Sequence, residues 1–339
     1  MGRIITTFDQ EFIKKFEPSL AKKHKGAPRL WIDGHIDLPY FMKENYPNSP
    51  IEELEQGPFT ITKALEAGVR IFVSAIFCED RFNGISSIMH FEENLAFTLN
   101  HYKGIQIIKN SNDLDTATKD PNYVGTLLLL ENADSLTDNL QRVQTLKAEG
   151  FFAIGLTHRG RNRLADGDQV TIAEGISDPG KALLRAMMDN HLALDVAHLH
   201  PKSFWQALDL FQGPIFCSHT GVAEQFEIPR NINLTQIKEL FDRQGIVGIS
   251  FNPELLGERC KETAEDVFIH MDTVVQRFGP EHVAVGSDLG GFEAREEAAV
   301  QDIHGFIELA EIMLDHGYGE LATEEILGLN WLEFFKRLL

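Results

Sequence analysis

The stretch "WIDGHIDLPY", residues 31–40, closes a short apolar run with a histidine and an aspartate two positions apart. Residues i and i+2 of a strand lie on one face. His35 and Asp37 can therefore direct an imidazole and a carboxylate at one point, a pairing that suits a hard or borderline divalent cation. One His-x-Asp is a weak signal on its own. Its weight depends on whether the same design, a buried strand ending in polar groups, recurs along the chain.

It does recur. Apolar runs followed by polar clusters lie at 30–37 (LWIDGHID), 68–77 (GVRIFVSAIF), 125–132 (GTLLLLEN), 152–158 (FAIGLTH), 192–200 (LALDVAHLH), 214–219 (PIFCSH), 245–253 (GIVGISFNP) and 282–291 (HVAVGSDLGG). Segments between them carry helical stripes, such as Leu136, Leu140, Val143 and Leu146, or Val267, Met271, Val274, Val275 and Phe278 behind a cap at Thr263. Short buried strands alternating with helices predict a parallel sheet. Eight such units predict a (β/α)8 TIM-type barrel in a single domain over residues 30–339. No GxGxxG follows any of these strands, which argues against an open dinucleotide-binding sheet.

In a barrel of this kind the active site lies at the C-terminal ends of the strands. The ends of the runs, taken in order, present His35 and Asp37, then Glu131, His158, His198, His219 and Asp288; the second and seventh offer no obvious ligand. Singly, each has a structural explanation: Glu131 as a helix cap, His198 as a core histidine, Asp288 as a turn residue before Gly290 and Gly291. Together they are harder to dismiss. Four histidines and three carboxylates at one mouth would be costly to bury without a cation. Two divalent metals bridged by Glu131 would supply the missing charge. Cys217 reads as a small buried apolar residue, and His200 as a loop residue.

Composition narrows the function classes. The 339-residue chain is 43% hydrophobic and has a formal net charge of −20. That is ordinary for a globular protein and repels phosphate backbones, so nucleic acid is not an expected partner. No apolar run approaches the ~18–20 residues of a membrane span. Cys78, Cys217 and Cys260 form no CxxC, which fits a reducing compartment, and a cytoplasmic location is expected. Residues 1–29 read as an N-terminal extension. Its Phe8, Phe12, Ile13 and Phe16 fall at helical spacing, so a short amphipathic helix docked on the barrel is expected in preference to a membrane anchor. The segment lacks the apolar core of a secretory signal. Its Met1, Gly2 and Thr6 match the loosely specified myristoylation pattern.

Several motifs in one order carry a family resemblance. "DGHIDLP", "LLLLEN", "LTHRGRNRLADG", "LALDVAHLHPKSFWQAL", "PIFCSHTGVA", "EIPRNINLTQIKELF", "HVAVGSDLGG" and the closing "GLNWLEFF" together resemble the membrane (renal) dipeptidase family of zinc metallopeptidases, within the amidohydrolase superfamily. The resemblance implies a barrel with two divalent metal ions, zinc being the expected element, that hydrolyses small dipeptides, including ones with a C-terminal D-residue, by a metal-bridging hydroxide. It further implies that His35 and Asp37 hold one metal, that His198 and His219 hold the other, and that Glu131 bridges them. His158 would face the substrate and its oxyanion, Arg230 would bind the terminal carboxylate, and Asp288 would handle the proton of the attacking water. A homodimer is the expected assembly.

The sequence departs from the family pattern in three places. Asn252 stands where a tyrosine is frequent near the substrate, Gly290 where a second aspartate is usual, and Ile228 where a histidine often precedes the "PRN" arginine. None is a ligand position, so another small amide stays open as the substrate. Phosphotriesterase-like and urease-like barrels open with His-x-His and bridge through a carboxylated lysine on the fourth strand, unlike this chain. A catalytically inactive barrel used for binding is the remaining alternative.

Overall fold

The computed structural model describes residues 29–258, 263–292 and 300–339. The amphipathic helix expected in the N-terminal extension, its myristoylation pattern and Cys260 lie outside the described residues. Eight parallel strands form the barrel: β1 (Trp31–Ile36), β2 (Val69–Phe77), β3 (Gly125–Glu131), β4 (Phe151–Gly155), β5 (Ala193–Asp195), β6 (Ile215–Thr220), β7 (Val247–Ile249) and β8 (Val283–Val285). Each pairs with the next in chain order. The ring closes just past the strands: Asp288 N donates to His35 O, and Asp37 N donates to Leu289 O, both at 2.9 Å. A two-residue strand, Gln106–Ile107, adds to the start of β3 outside the ring.

The expected fold is therefore the observed one, and burial explains the runs. Parallel strands inside a shell of helices are covered on both faces, so β3 can be four consecutive leucines, Leu127 to Leu130, all fully buried. Its register with β2 is unbroken from Ile71–Gly125 to Phe77–Glu131. That seam sets Phe77 beside Glu131 at the mouth.

Two details differ from the sequence reading. The stripe from Leu136 to Leu146 is not one helix. A 3₁₀ turn, Ala133–Leu136, precedes a helix that starts only at Arg142. The turn is tied down by Asp134, which accepts from Gly84 N and pairs with Arg163. In addition, β5, β7 and β8 have three residues each, so His198 and Asp288 lie three residues beyond their strands rather than at the last position. The helix expected behind Thr263 is present, with Thr263 and Asp266 forming a capping box.

The closing segment forms the helix Asn330–Leu338, which plugs the N-terminal end of the barrel. Trp331 is fully buried and donates from Nε1 to Val285 O at 2.8 Å. Asn330 donates to Pro280 O and Val283 O at 2.8 Å each. The indole lies against β1 at Gly34, where an added Cβ would sit 2.1 Å from the ring. A fully enclosed indole cannot swing aside. Gly34→Ala is therefore expected to destabilise the protein by about 1–3 kcal/mol through overpacking. Chemical denaturation checks this: an unchanged midpoint would mean that the plug yields.

Candidate metal centre and cleft

Seven ionisable side chains converge at the C-terminal mouth, delivered by β1, β3, β4, β5, β6 and β8. His35 Nε2 is 3.5 Å from Asp37 Oδ2 and 3.7 Å from Glu131 Oε2. The other Glu131 oxygen, Oε1, is 3.0 Å from His198 Nε2. His198 Nε2 and His219 Nε2 approach to 3.1 Å. Three overlapping groups, His35–Glu131–His219, Glu131–His158–His198 and His35–Asp37–Asp288, each bring their ligand atoms within 4.8 Å of one another. All five residues expected to hold metal are thus brought together, with Glu131 between His35 and His198, and His158 and Asp288 border the same space.

Local backbone geometry aims these groups. Asp37 caps the helix Leu38–Asn45 without using its side chain as a cap, so the carboxylate stays available. His198 and Asp288 take left-handed backbone conformations, φ 64° and 66°. Such angles are uncommon for residues other than glycine and store strain that the surroundings must hold. Gly291 makes room for the carboxylates: a Cβ there would lie 2.3 Å from Asp37 Oδ2 and 2.7 Å from Asp288 Oδ1.

The donor set fits divalent cations. His35, fully buried, has no hydrogen-bond partner at either ring nitrogen, and Asp37 Oδ1 has none. Two imidazole nitrogens 3.1 Å apart are stable only with a proton or a cation between them. Burial, with help from the Arg230 charge, holds His198 well below the usual histidine range. Burial likewise holds His219 low, with His35 adding to the effect. Both rings are therefore neutral, as ligation requires. Burial opposes the charge of His35 as well, but Asp37, Glu131 and Asp288 outweigh it and push the group up to about 10. Burial raises Glu131 well above the carboxylate range, and burial together with Asp37 raises Asp288 to about 7. This is a nest of carboxylates short of positive charge, the condition that bound cations relieve.

The centre floors a cleft of about 600 Å³, lined also by Tyr40, Phe77, Arg159, Arg230, Asn252 and Glu254. Arg230 is 6% exposed and donates from Nη2 to His219 O at 2.8 Å, while its Nη1 has no partner. Asn252 donates from Nδ2 to Asp288 Oδ2 at 2.8 Å and accepts at Oδ1 from Glu254 N at 3.0 Å. Its amide is thus oriented by the protein and bears on Asp288, although sequence reasoning placed it only against substrate. Ile228 is not among the residues lining the cleft. Gly290 has φ 90°, and a Cβ there would lie 3.0 Å from Asp37 O, so a larger residue at this position would be strained.

A family model described as "Membrane dipeptidase (Peptidase family M19)" matches residues 27–338. The chain belongs to the membrane dipeptidase family. Dipeptidase tcpJ of Claviceps purpurea is 27% identical over 192 residues, which cover 56% of this chain and 45% of that protein. Dipeptidase verJ of Clonostachys rogersoniana is 24% identical over 328 residues, covering 89% of this chain and 82% of its own. A metallopeptidase from Rhodobacter sphaeroides, crystallised with a phosphinate mimic of the dipeptide L-Ala-D-Ala, superposes with a TM-score of 0.80 at 18% identity. The alignment covers 91% of this chain and 99% of that one, a likeness of fold.

Supporting residues of this family member escaped the sequence reading. Asp80, just beyond β2, lies 3.3 Å from His158 Nδ1 and accepts from Gly160 N at 2.9 Å. Burial works against the Asp80 charge, but these bonds more than offset it and hold its carboxyl below the usual range. Asp168 lies 3.4 Å from His198 Nδ1, and Ser218 Oγ lies 2.8 Å from His219 Nδ1. Asp33 and Asp195 are buried in β1 and β5. Asp33 Oδ1 accepts from His35 N and Ser287 N; Asp195 Oδ1 accepts from Ala197 N and Ser218 N. Both pin the backbone beside histidines of this centre. Partners of this kind are worth about 10- to 100-fold in metal affinity. Asp168→Ala is expected to weaken metal retention by that factor while the fold persists. Metal titration against a competing chelator measures it, and an unaltered affinity would remove Asp168 from the site.

Proposed function

We propose that this protein is a two-metal dipeptidase in which His35 and Asp37 would hold one divalent ion, His198 and His219 the other, and Glu131 both. The observation that carries the reading is Glu131 itself, with one oxygen toward His35 and the other toward His198, in a chain of this family. When bound, such ions would lower the pKa of water and polarise the scissile carbonyl. Zinc is the element we favour, because three histidines among five donors suit it, although His/Asp/Glu sets accept other transition metals.

The remaining steps fall to the chain. The partnerless Nη1 of Arg230 would receive the substrate's terminal carboxylate, fixing the peptide bond over the centre. Asp288 would accept a proton from the attacking water and pass it to the leaving amine. Asn252, bonded to its Oδ2, leaves Oδ1 as the oxygen free for that transfer. His158, its Nδ1 held by Asp80, would turn its Nε2 edge to the developing oxyanion. The walls of Tyr40 and Phe77, whose rings meet edge to face with centroids 5.7 Å apart, would exclude water on the β1–β2 side. A cytoplasmic location belongs to the same reading and is supported by the buried free thiols of Cys78 and Cys217.

Elemental analysis with a small panel of free dipeptides tests this. Purified protein is expected to carry about two transition-metal equivalents, and Glu131→Gln to lose much of that content. Asp288→Asn is expected to retain metal and to lower kcat by about 10²-fold or more. Stoichiometric metal in Glu131→Gln would end the bridging role, and near-normal turnover in Asp288→Asn would end the proton role.

The carboxylate anchor has its own test. Arg230→Ala is expected to lower kcat/KM for dipeptides by about 10- to 200-fold, the worth of a charge-assisted contact. The same variant should lose little on dipeptide amides, which form no ion pair. Equal losses on acids and amides would show that Arg230 reads no carboxylate and would favour another small amide as substrate.

A further inference from the structure

A second guanidinium borders the cleft, and the reaction described above does not use it. Arg159 follows His158 directly and lines the same space as Arg230. Its Nη2 donates to Glu254 Oε2 at 2.7 Å. Glu254 is its one hydrogen-bonding or ionic side-chain partner among the described residues, so Nε and Nη1 have none. The pair joins the loop after β4 to the short helix Pro253–Leu256 after β7. Strands β5 and β6 lie between these two, and Arg230 follows β6. The Arg159–Glu254 pair therefore borders the part of the mouth where Arg230 would hold the terminal carboxylate. Asp168 lies within electrostatic reach of both Arg230 and Arg159.

The backbones that carry this pair are hydrogen-bonded in place, whereas the side chains reach into water. Arg159 O accepts from Gln169 N at 2.9 Å, and a Cβ on Gly167 would lie 2.5 Å from the same oxygen. Glu254 N is held by Asn252 Oδ1. The two side chains are 36% and 65% exposed, and an ion pair so open to water is weak. It can be exchanged at small cost. A substrate carboxylate, already positioned by its other contacts in the cleft and met by a planar fork, makes the stronger partner. Asp168 and Asp288 act on Arg159 through their charge, but among the described residues Glu254 is the one carboxylate hydrogen-bonded to it.

We propose that Arg159 is a specificity residue that selects dipeptides with a side-chain carboxylate on the C-terminal residue, leaving Glu254 to bind that carboxylate. This rests on the dipeptidase reading and names its substrate class. Arg230 would take the main-chain carboxylate and Arg159 the side-chain one. Glu254 holds Arg159 in place between turnovers and competes with the substrate for it.

The test is kcat/KM of the metal-loaded enzyme on Ala-Asp, Ala-Asn and Ala-Ala, each with an L- and a D-residue at the second position. The wild type is expected to prefer Ala-Asp over its isostere Ala-Asn by about tenfold or more. Arg159→Gln should bring that ratio close to one, chiefly through KM. Glu254→Gln should raise the ratio, because it removes the competitor. Opposite effects from the two partners of one ion pair distinguish selection from a structural clasp, whose loss would act in the same direction in both variants. An equal ratio in wild type and Arg159→Gln, or a wild type that prefers Ala-Asn, overturns the inference while leaving the dipeptidase intact. Failure to cleave any of the dipeptides overturns the dipeptidase reading and this inference with it.

Discussion

The position of Glu131 constrains the rest of the structure. A carboxylate at the end of a fully buried strand, 3.0 Å from one histidine and 3.7 Å from another, has almost no water to stabilise its charge. Burial alone would protonate it, and Asp37 and Asp288 nearby push in the same direction. The barrel resolves this conflict by gathering positive or ligating groups around one point. Strands β1, β5 and β6 supply histidines, and the loop after β6 supplies Arg230. A centre that is unfavourable as bare protein is favourable as a cation site, and the cost of assembling it falls on folding.

That cost is visible in the supports. Asp33 and Asp195 spend buried carboxylates on backbone amides rather than on ligands. Burial raises Asp33 to about 7 even with those bonds. His198 and Asp288 hold left-handed backbone angles that side chains other than glycine rarely take. Strain of this kind persists only where the scaffold fixes it. The scaffold here is the closed ring, with its last bonds at His35 and Leu289, and the Trp331 plug that fills its far end. Site and plug share strand β1, with Gly34 against the indole and the neighbouring His35 in the centre.

The sequence was legible where periodicity and burial agree. Eight apolar runs became eight strands because a barrel buries both faces of each, and the polar residues that ended the runs had nowhere to go but the mouth. It was illegible where position depends on loops. Three-residue strands at β5, β7 and β8 do not advertise where they stop, so His198 and Asp288 lie further out than the runs suggested. Asp33 and Asp195 sit inside apolar runs, where an aspartate signals something unusual; the sign was present, but it pointed equally to a ligand or a backbone acceptor. Asp80 and Asp168 lie in loops with no period at all, and only the fold brings them to His158 and His198. Asn252 was found, but its hydrogen bonding to Asp288 needed coordinates.

The same division separates what is fixed in this centre from what is free to vary. His35, Glu131 and His219 stand on strands, with Asp37 and His198 within three residues of a strand end, and their geometry is set by the ring. Arg159, Arg230, Asn252 and Glu254, which line the cleft, stand on the segments after β4, β6 and β7, and two of the three departures from the family pattern, Ile228 and Asn252, fall on those same segments. A substitution on such a segment changes one wall of the cleft while the strands that carry the histidines stay in place. In the proposed reading, metal binding and substrate choice would be carried by different parts of the barrel. The two parts meet at Asn252, whose amide ties the helix at Glu254 to the Asp288 carboxylate. On that reading a change of residue there would act on selectivity and turnover together, whereas a change at Arg159 would act first on selectivity.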